Sequence, residues 1–321
     1  MAESPDVVVL REGTEGLSTR AYADELAAAL PEYTVAHAPT PAAERDLIRG
    51  APVVTGNDID RDLLAHAEAL DLFACTFAGT DHLPVDALAD RGVTVTNASG
   101  IHAPGIAEQV LGYVLTFARR LHVSWERGRR GVWQHVQSTE LKGSTVTVVG
   151  LGAVGTAVVD RLAGFDVHTV GVRHSPAKGG PTDEVVGYDG IHEAFARADY
   201  VVLACPLTDL TRGLLDADTL ATVPPSAVVV NVARGRVVDT DALVAALRTG
   251  GIRGAALDVT DPEPLPADHP LWGLDNALVT PHTGGHTPEH WPRLAAVLGD
   301  NVRALLDGDE DAQLRNVVHP H

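Results

Sequence analysis

Thr145-Val-Thr-Val-Val149 runs directly into Gly150-Leu-Gly152-Ala-Val-Gly155, and these eleven residues decide the fold. The first five are apolar or β-branched without alternation, the pattern of a strand buried on both faces of a parallel sheet. The glycines follow at the spacing GxGxxG, after a strand and at the opening of a helical segment, which is the context that gives the motif meaning. Gly150 permits a tight turn, Gly152 lets a pyrophosphate approach the backbone, and Gly155 lets the helix pack on the strand. The helix N-terminus, with Ala153 and Val154 in its first turn, offers unpaired N–H groups to phosphates. A glycine-rich turn without a ligand is the blander alternative; the flanking strand and helix weigh against it.

Outward from this stretch the chain keeps alternating. Downstream, strands are expected at 167–172, 200–204, 227–231, 254–258 and 277–280, separated by helical segments at 156–164, 191–197, 216–221 and 240–249. With 145–149 that makes about six strands, as in a full dinucleotide-binding fold. Upstream, strands at 6–10, 53–55, 70–76 and 94–97 alternate with helices at 20–30 and 62–69, again implying a parallel sheet with crossovers. A long helix is expected at 105–121, opened by Pro104 near its first turn. The chain ends in a helix at 288–306 and a loose Val318-His-Pro-His321.

The end of the second strand bears on the cofactor. An NAD site usually places an acidic residue about 20 residues past the glycine loop, to accept from the ribose 2′-OH. Here Arg173 lies eighteen residues after Gly155, followed by His174 and Ser175, with no acid among them. A guanidinium can fork onto a 2′-phosphate that a carboxylate would repel. NADP(H) is therefore the expected cofactor, held by Arg173, His174 and Ser175, with NAD(H) still possible. The alternative is a solvated Arg beside a permissive NAD site.

Three polar segments follow apolar runs: Asn231-Val-Ala-Arg234, Asp258-Val-Thr-Asp-Pro-Glu263 and Thr280-Pro-His282. Open α/β sheets bind ligands at such strand ends. An Arg, a Glu and a His together fit reduction of a 2-keto acid. Arg234 can hold the carboxylate and keto oxygen with paired donors. Histidine is the side chain suited to proton transfer near neutral pH, so His282 can pass a proton to the developing alkoxide. Glu263 can orient and stabilise the imidazolium. Hydride comes from a nicotinamide.

The motifs FAGTDHL (77–83), NASGIHAPGIAE (97–108), GLGAVG (150–155), PLT (206–208), NVARGRVVD (231–239), ALDVTDPEPLP (256–266) and TPHTGG (280–285) stand in one order along most of the chain. Together they resemble the D-isomer-specific 2-hydroxyacid dehydrogenase family. The resemblance implies two Rossmann-like, doubly wound parallel-sheet α/β domains with the active site in the cleft between them. The dinucleotide domain would span 101–286, and 1–100 plus 287–321 would form the substrate domain. It implies Arg234, Glu263 and His282 as the catalytic set, and Ala78-Gly79 as the loop for the substrate carboxylate, with Arg234 and His282 also touching substrate. It makes Asp258 the nicotinamide-amide contact. Cys205, Pro206, Thr211, Val232, Ala233, His282 and Gly284 join the glycine loop as cofactor-lining positions. It also implies D stereochemistry and a homodimer through the cofactor domain, near 105–121. Two departures stand out. Arg173 replaces the usual Asp, which points to the NADP-using branch, and Cys205 stands where many relatives have His.

Other classes compete. A formate-oxidising relative carries Gln where Glu263 stands. A phosphite-type dehydrogenase keeps all three side chains, and so does an NAD(P)-sensing corepressor, which would use the cofactor as a conformational ligand.

Composition narrows the setting. There are 43 acidic against 24 basic residues, a formal net charge of −19, and only Lys142 and Lys178 are lysines. Nucleic acid and anionic membranes would be repelled. A strongly acidic surface stays soluble in high salt, so a salt-adapted cytoplasm is the expected home; a GC-rich genome, the alternative, would replace Lys by Arg without explaining the acid excess. No secretory leader or membrane span is read from the sequence. Cys75 and Cys205 fit no metal or redox spacing and read as buried thiols. His282, His286 and His290 are interrupted by glycines and Pro288, and Asp58, Asp60 and Asp62 lack a calcium loop, so no metal is expected. The aspartates read as a helix cap and solvated surface. Trp133 is expected in the core; His82 and His102 are loop histidines that could face substrate.

Overall fold

The computed structural model describes residues 4–13, 17–80, 82–308 and 313–318. The chain divides into two compact units, one formed up to Ile101 and again from Thr287 onward, the other by His102–His286. The expected loose end at 319–321 lies outside the described residues.

The first unit begins with β1 (Val7–Val9), α1 (Thr19–Ala29), β2 (Val35–His37), α2 (Pro41–Leu47), β3 (Val53–Gly56), α3 (Arg61–Leu64), β4 (Leu72–Cys75), α4 (Val85–Ala89) and β5 (Thr94–Thr96). Side-chain caps start α1 and α3: the Ser18 hydroxyl accepts from Ala21 N, and the Asp60 carboxylate accepts from Leu63 N at 2.7 Å. Asp60 is thus the helix cap expected of it, but the helix it opens ends at Leu64 rather than 69.

The second unit holds α5 (Ala103–Ala118), α6 (Leu121–Arg129), β6 (Thr145–Val149), α7 (Ala153–Leu162), β7 (His168–Val172), β8 (Glu184–Val186), α8 (Ile191–Ala196), β9 (Tyr200–Leu203), α9 (Ala217–Thr222), β10 (Val228–Asn231), α10 (Thr240–Thr249), β11 (Gly254–Leu257) and β12 (Ala277–Val279). The chain then returns to the first unit with α11 (His290–Leu306) and β13 (Val317–Val318).

The second sheet has seven strands in the order β12-β11-β10-β9-β6-β7-β8, all parallel. Sequence order reverses on either side of β6, so the switch point lies between β6 and β9. β9 and β10 are buried throughout, as is β6 beyond Thr145, because helices cover both faces. One apolar cluster centres on Phe195, Val201, Val229 and Leu243, the other on Val110, Tyr113, Val148 and Val230. Each fully buried Val or Leu contributes roughly 1.5–3 kcal/mol. The seventh strand, β8, departs from the six expected. It is a half-exposed three-residue edge strand begun by Glu184, too short and mixed to read as a strand.

The first sheet runs β13-β5-β4-β3-β1-β2, parallel except for β13, which lies antiparallel on β5. Val318, expected loose, therefore carries the edge strand. The helix expected over 105–121 is two: α5 stops at Ala118, Arg120 turns left-handed (φ 53°), and α6 starts at Leu121. Trp133 corrects another expectation. It is 97% exposed, and Trp125 on α6 is 74% exposed. No helix among the described residues is long and apolar enough to cross a membrane. Both cysteines are buried, as their spacing led us to expect.

Candidate active site

Parallel strands place all their C-terminal ends on one edge, and the second sheet collects its polar residues there. The glycine loop follows β6 at the switch point, where such sheets bind ligands. Arg173 follows β7, Cys205 follows β9, Arg234 follows β10, Asp258 follows β11 and Thr280 follows β12.

The glycine loop fits a dinucleotide on three independent observations. Gly150 adopts φ +94°, and a Cβ there would lie 2.7 Å from the Ala204 carbonyl oxygen and from Cys205 Cα. A Cβ at Gly155 would lie 1.9 Å from the Gly150 carbonyl oxygen, so α7 and β6 can meet only through glycine. A Cβ at Gly152, by contrast, meets nothing within 4 Å. That open space lies at the exposed N-terminus of α7, which no side chain caps. Unpaired N–H groups and positive dipole end face it, the arrangement that holds phosphate.

Beyond β7, Arg173 is half-buried and its Nη1 donates to the Gly179 carbonyl at 2.5 Å; His174 is exposed and its ring lies 3.4 Å from the Ser175 hydroxyl. After β9, Cys205 packs against Tyr188, and burial pushes its thiol up to about 11. Thr211 is buried, and its hydroxyl donates to the Pro206 carbonyl at 2.6 Å and accepts from Thr208 N at 2.8 Å. It braces the 205–211 loop from inside. Val232 and Ala233 are buried at the end of β10.

Glu263 and His282 come together. His282 Nδ1 is 3.1 Å from Glu263 Oε2, while Glu263 Oε1 accepts from Thr260 N at 2.9 Å. One carboxylate oxygen is anchored to backbone and the other faces the imidazole, leaving Nε2 as the free end of the ring. Both side chains are exposed. Glu263 sits between two cis bonds, Asp261-Pro262 and Glu263-Pro264. Arg234 is exposed, with Nη1 donating to its neighbour's carbonyl, Ala233 O, at 2.8 Å. Its loop touches the Glu263 loop through Gly235, where a Cβ would lie 1.9 Å from the Thr260 carbonyl oxygen. Arg236 Nε also meets Asp261 Oδ2 at 3.2 Å.

His282 has φ 52°, uncommon for a residue with a side chain. A left-handed residue of this kind costs of order 1–3 kcal/mol and persists where its surroundings over-determine it. Here Asp258 does so. Its carbonyl accepts from His282 N at 2.8 Å, Oδ1 accepts from Thr283 N at 3.0 Å and from the Thr280 hydroxyl at 2.5 Å, and Oδ2 accepts from Gly284 N at 2.9 Å. Gly284 is required by that grip, since a Cβ would lie 2.8 Å from Asp258 Oδ2. In the first unit, Ala78 is exposed and its carbonyl accepts from Asn97 Nδ2 at 2.8 Å; Gly79 is half-buried beside it. His82 Nε2 lies 2.7 Å from the Asn57 carbonyl, and His102 packs against Gly285.

Residues 111–284, more than half of the chain, match the model of the NAD binding domain of D-isomer specific 2-hydroxyacid dehydrogenases. The chain belongs to this family. The glyoxylate reductase of Thermofilum pendens is 35% identical over 268 residues, covering 80% of this chain and 78% of the relative. The D-3-phosphoglycerate dehydrogenase of Mycobacterium leprae is 36% identical over 284 residues, 87% of this chain; the chain spans about half of that longer relative, 52%. Among solved structures, a D-isomer specific 2-hydroxyacid dehydrogenase from Xanthobacter autotrophicus Py2, in complex with NADPH and MES, aligns with a TM-score of 0.81 at 31% identity over 99% of each chain.

A D-isomer specific 2-hydroxyacid dehydrogenase fold accounts for both sheets, parallel but for β13, and for an NAD(P)-binding domain around the glycine loop. Four residues of the site escaped sequence reasoning. Thr260, Thr280, Gln109 and Tyr113 act by hydrogen bonds to the motif residues. Thr260 and Thr280 lie within quoted motifs and could have been picked out as strand-end hydroxyls. Tyr113 could not, because its position in a helix reads as core.

Proposed function

We propose that this chain reduces 2-keto acids to D-2-hydroxy acids, reversibly, with NADPH preferred. The observation that carries the proposal is the Glu263–His282 pair, 3.1 Å apart, on the same sheet edge as the glycine loop. Bound NADPH supplies hydride to the keto carbon. The rest falls to side chains. Arg234 pairs with the substrate carboxylate and keto oxygen and polarises the carbonyl. His282 Nε2 gives its proton to the oxygen as it becomes an alkoxide, and in the reverse direction removes it. Glu263, held by Thr260 N, keeps Nδ1 facing away from substrate and stabilises the charged ring. The family resemblance makes Ala78-Gly79 the loop for the substrate carboxylate. Asp258 keeps one acceptor site on Oδ2 beyond the Gly284 bond, enough for a nicotinamide amide.

NADPH preference rests on Arg173, the only cation among the three residues after β7. Arg173→Ala should lower kcat/KM with NADPH by about tenfold or more while leaving NADH use nearly unchanged, the loss of one charge-assisted contact. An equal fall with both cofactors would remove the preference from Arg173. The relative solved with NADPH supports the reading. We also propose a homodimer through the second unit; the exposed Trp125 and Trp133 give it an apolar surface to cover. A salty cytoplasm is the proposed setting.

The deciding experiment follows NADPH absorbance with a panel of 2-keto acids, including glyoxylate, hydroxypyruvate and pyruvate. Turnover that His282→Ala lowers by about 10²–10⁴-fold, with cofactor affinity kept within twofold, is the expected result. Intact cofactor binding without turnover of any keto acid would leave a sensing protein, and turnover of phosphite alone a different dehydrogenase.

A further inference from the structure

One polar cluster joins α5 to the 280–284 turn of the site. Tyr113 is buried in the middle of α5, among the apolar residues that pack the helix on the sheet. Its hydroxyl nevertheless meets three polar partners. Gln109 Nε2, one turn earlier, donates to it at 2.8 Å; the Thr280 hydroxyl is in hydrogen-bond contact; and Asp258 Oδ1 lies 3.5 Å away. Gln109 Nε2 also reaches the Thr280 hydroxyl at 3.4 Å.

Proton bookkeeping gives this cluster one direction. A carboxylate only accepts, so the Thr280 hydroxyl must donate to Asp258 Oδ1, 2.5 Å away. Thr280 then has only lone pairs left for Tyr113, so Tyr113 must donate to Thr280. Tyr113 in turn accepts from the Gln109 amide. The row of donors runs from Gln109 through Tyr113 and Thr280 to Asp258 and ends on the carboxylate that fixes the 280–284 turn. Burial holds the Tyr113 hydroxyl up to about 12, so it remains a donor at any working pH. A Phe at this place would fill the same apolar space, so packing alone does not account for the hydroxyl.

We propose that Tyr113 is a positioning residue for His282: its hydroxyl, through Thr280 and Asp258, sets the left-handed turn that presents the imidazole. The inference rests on the proposed role of His282 for its catalytic consequence, and on the hydrogen bonds alone for its structural one. Tyr113 touches neither Glu263 nor the imidazole. Its effect passes through the two amides, Thr283 N and Gly284 N, and the His282 N–H that Asp258 holds.

The test reads amide hydrogen exchange and turnover in the same proteins. Tyr113→Phe should speed exchange by tenfold or more in the 282–284 amides and leave the remaining strands of the second sheet unchanged. It should lower kcat about tenfold, with KM and NADPH Kd within twofold. Thr280→Val should behave alike, Thr280→Ser should retain wild-type behaviour, and the double variant Tyr113→Phe/Thr280→Val should lose no more than the worse single one. Unchanged exchange at 282–284, a uniform rise across the whole second unit, or additive losses in the double variant each overturns the proposal. If the wild type reduces no keto acid, the exchange measurements still decide the positioning role, so that failure is told apart from failure of the function.

Discussion

Gly152 and Gly155 are three residues apart in one motif, yet geometry gives them opposite duties. Gly155 is needed for folding, since its added Cβ would sit 1.9 Å from a backbone oxygen that cannot yield. Gly152 has no such packing need, since its added Cβ would meet only open space, which we propose the cofactor phosphate fills. Gly155→Ala should therefore lower stability by about 1–3 kcal/mol, as overpacking does. Gly152→Ala should keep the wild-type denaturation midpoint and raise the cofactor Kd about tenfold, roughly 1.4 kcal/mol of lost approach. Chemical denaturation and cofactor titration on both variants check this. A destabilised Gly152→Ala with normal binding would reverse the assignment. The same residue-level view explains why the motif was readable at all: at Gly150 and Gly155 the backbone admits glycine and little else.

At the scale of elements, strands buried on both faces were the most legible. Val228–Asn231 and Thr145–Val149 form where apolar β-branched runs demand it, and the Arg234 segment and the glycine loop that follow them fall at the sheet edge. Val35–His37 and Glu184–Val186 are half-buried edge strands whose pairing comes from neighbours, which no local pattern carries. The break between α5 and α6 was hidden for a related reason: Arg120 adopts a left-handed backbone usually left to glycine. In the site, the Arg234, Glu263 and His282 segments were legible, but the contact between the first two was not. Gly235 makes it, and its role shows only when the Thr260 carbonyl lies against it. Gly235→Ala should thus separate the Arg234 loop from the Glu263 loop without unfolding the sheet. Turnover should fall by about 10²-fold, in keeping with the cost of misplacing a reacting group by an ångström, while cofactor binding and the thermal midpoint change little. A variant that loses stability and turnover in proportion would make Gly235 a packing residue only.

For the whole molecule, the governing quantity is the imbalance of 43 acids against 24 bases. Its ion pairs do not remove it. Arg20–Asp24, Arg130–Glu126 and Arg315–Asp300 are exposed pairs, each worth about 0–1 kcal/mol and weakened by salt. Salt acts in two opposed directions, loosening such pairs and screening the repulsion among the unpaired carboxylates. Each pair is local and small, whereas a net charge of −19 repels itself across the entire surface. The Debye length falls from about 10 Å at 0.1 M to about 3 Å at 1 M, short enough to remove most of that repulsion. The midpoint of thermal unfolding should therefore rise by several degrees between 0.05 and 1 M salt. Sodium chloride and choline chloride, matched in ionic strength, should give the same rise if screening is the cause. A midpoint that stays flat or falls would show that ion pairs outweigh repulsion, and would sink the salt-adapted setting with it. A rise in one salt alone would point to ion-specific binding instead.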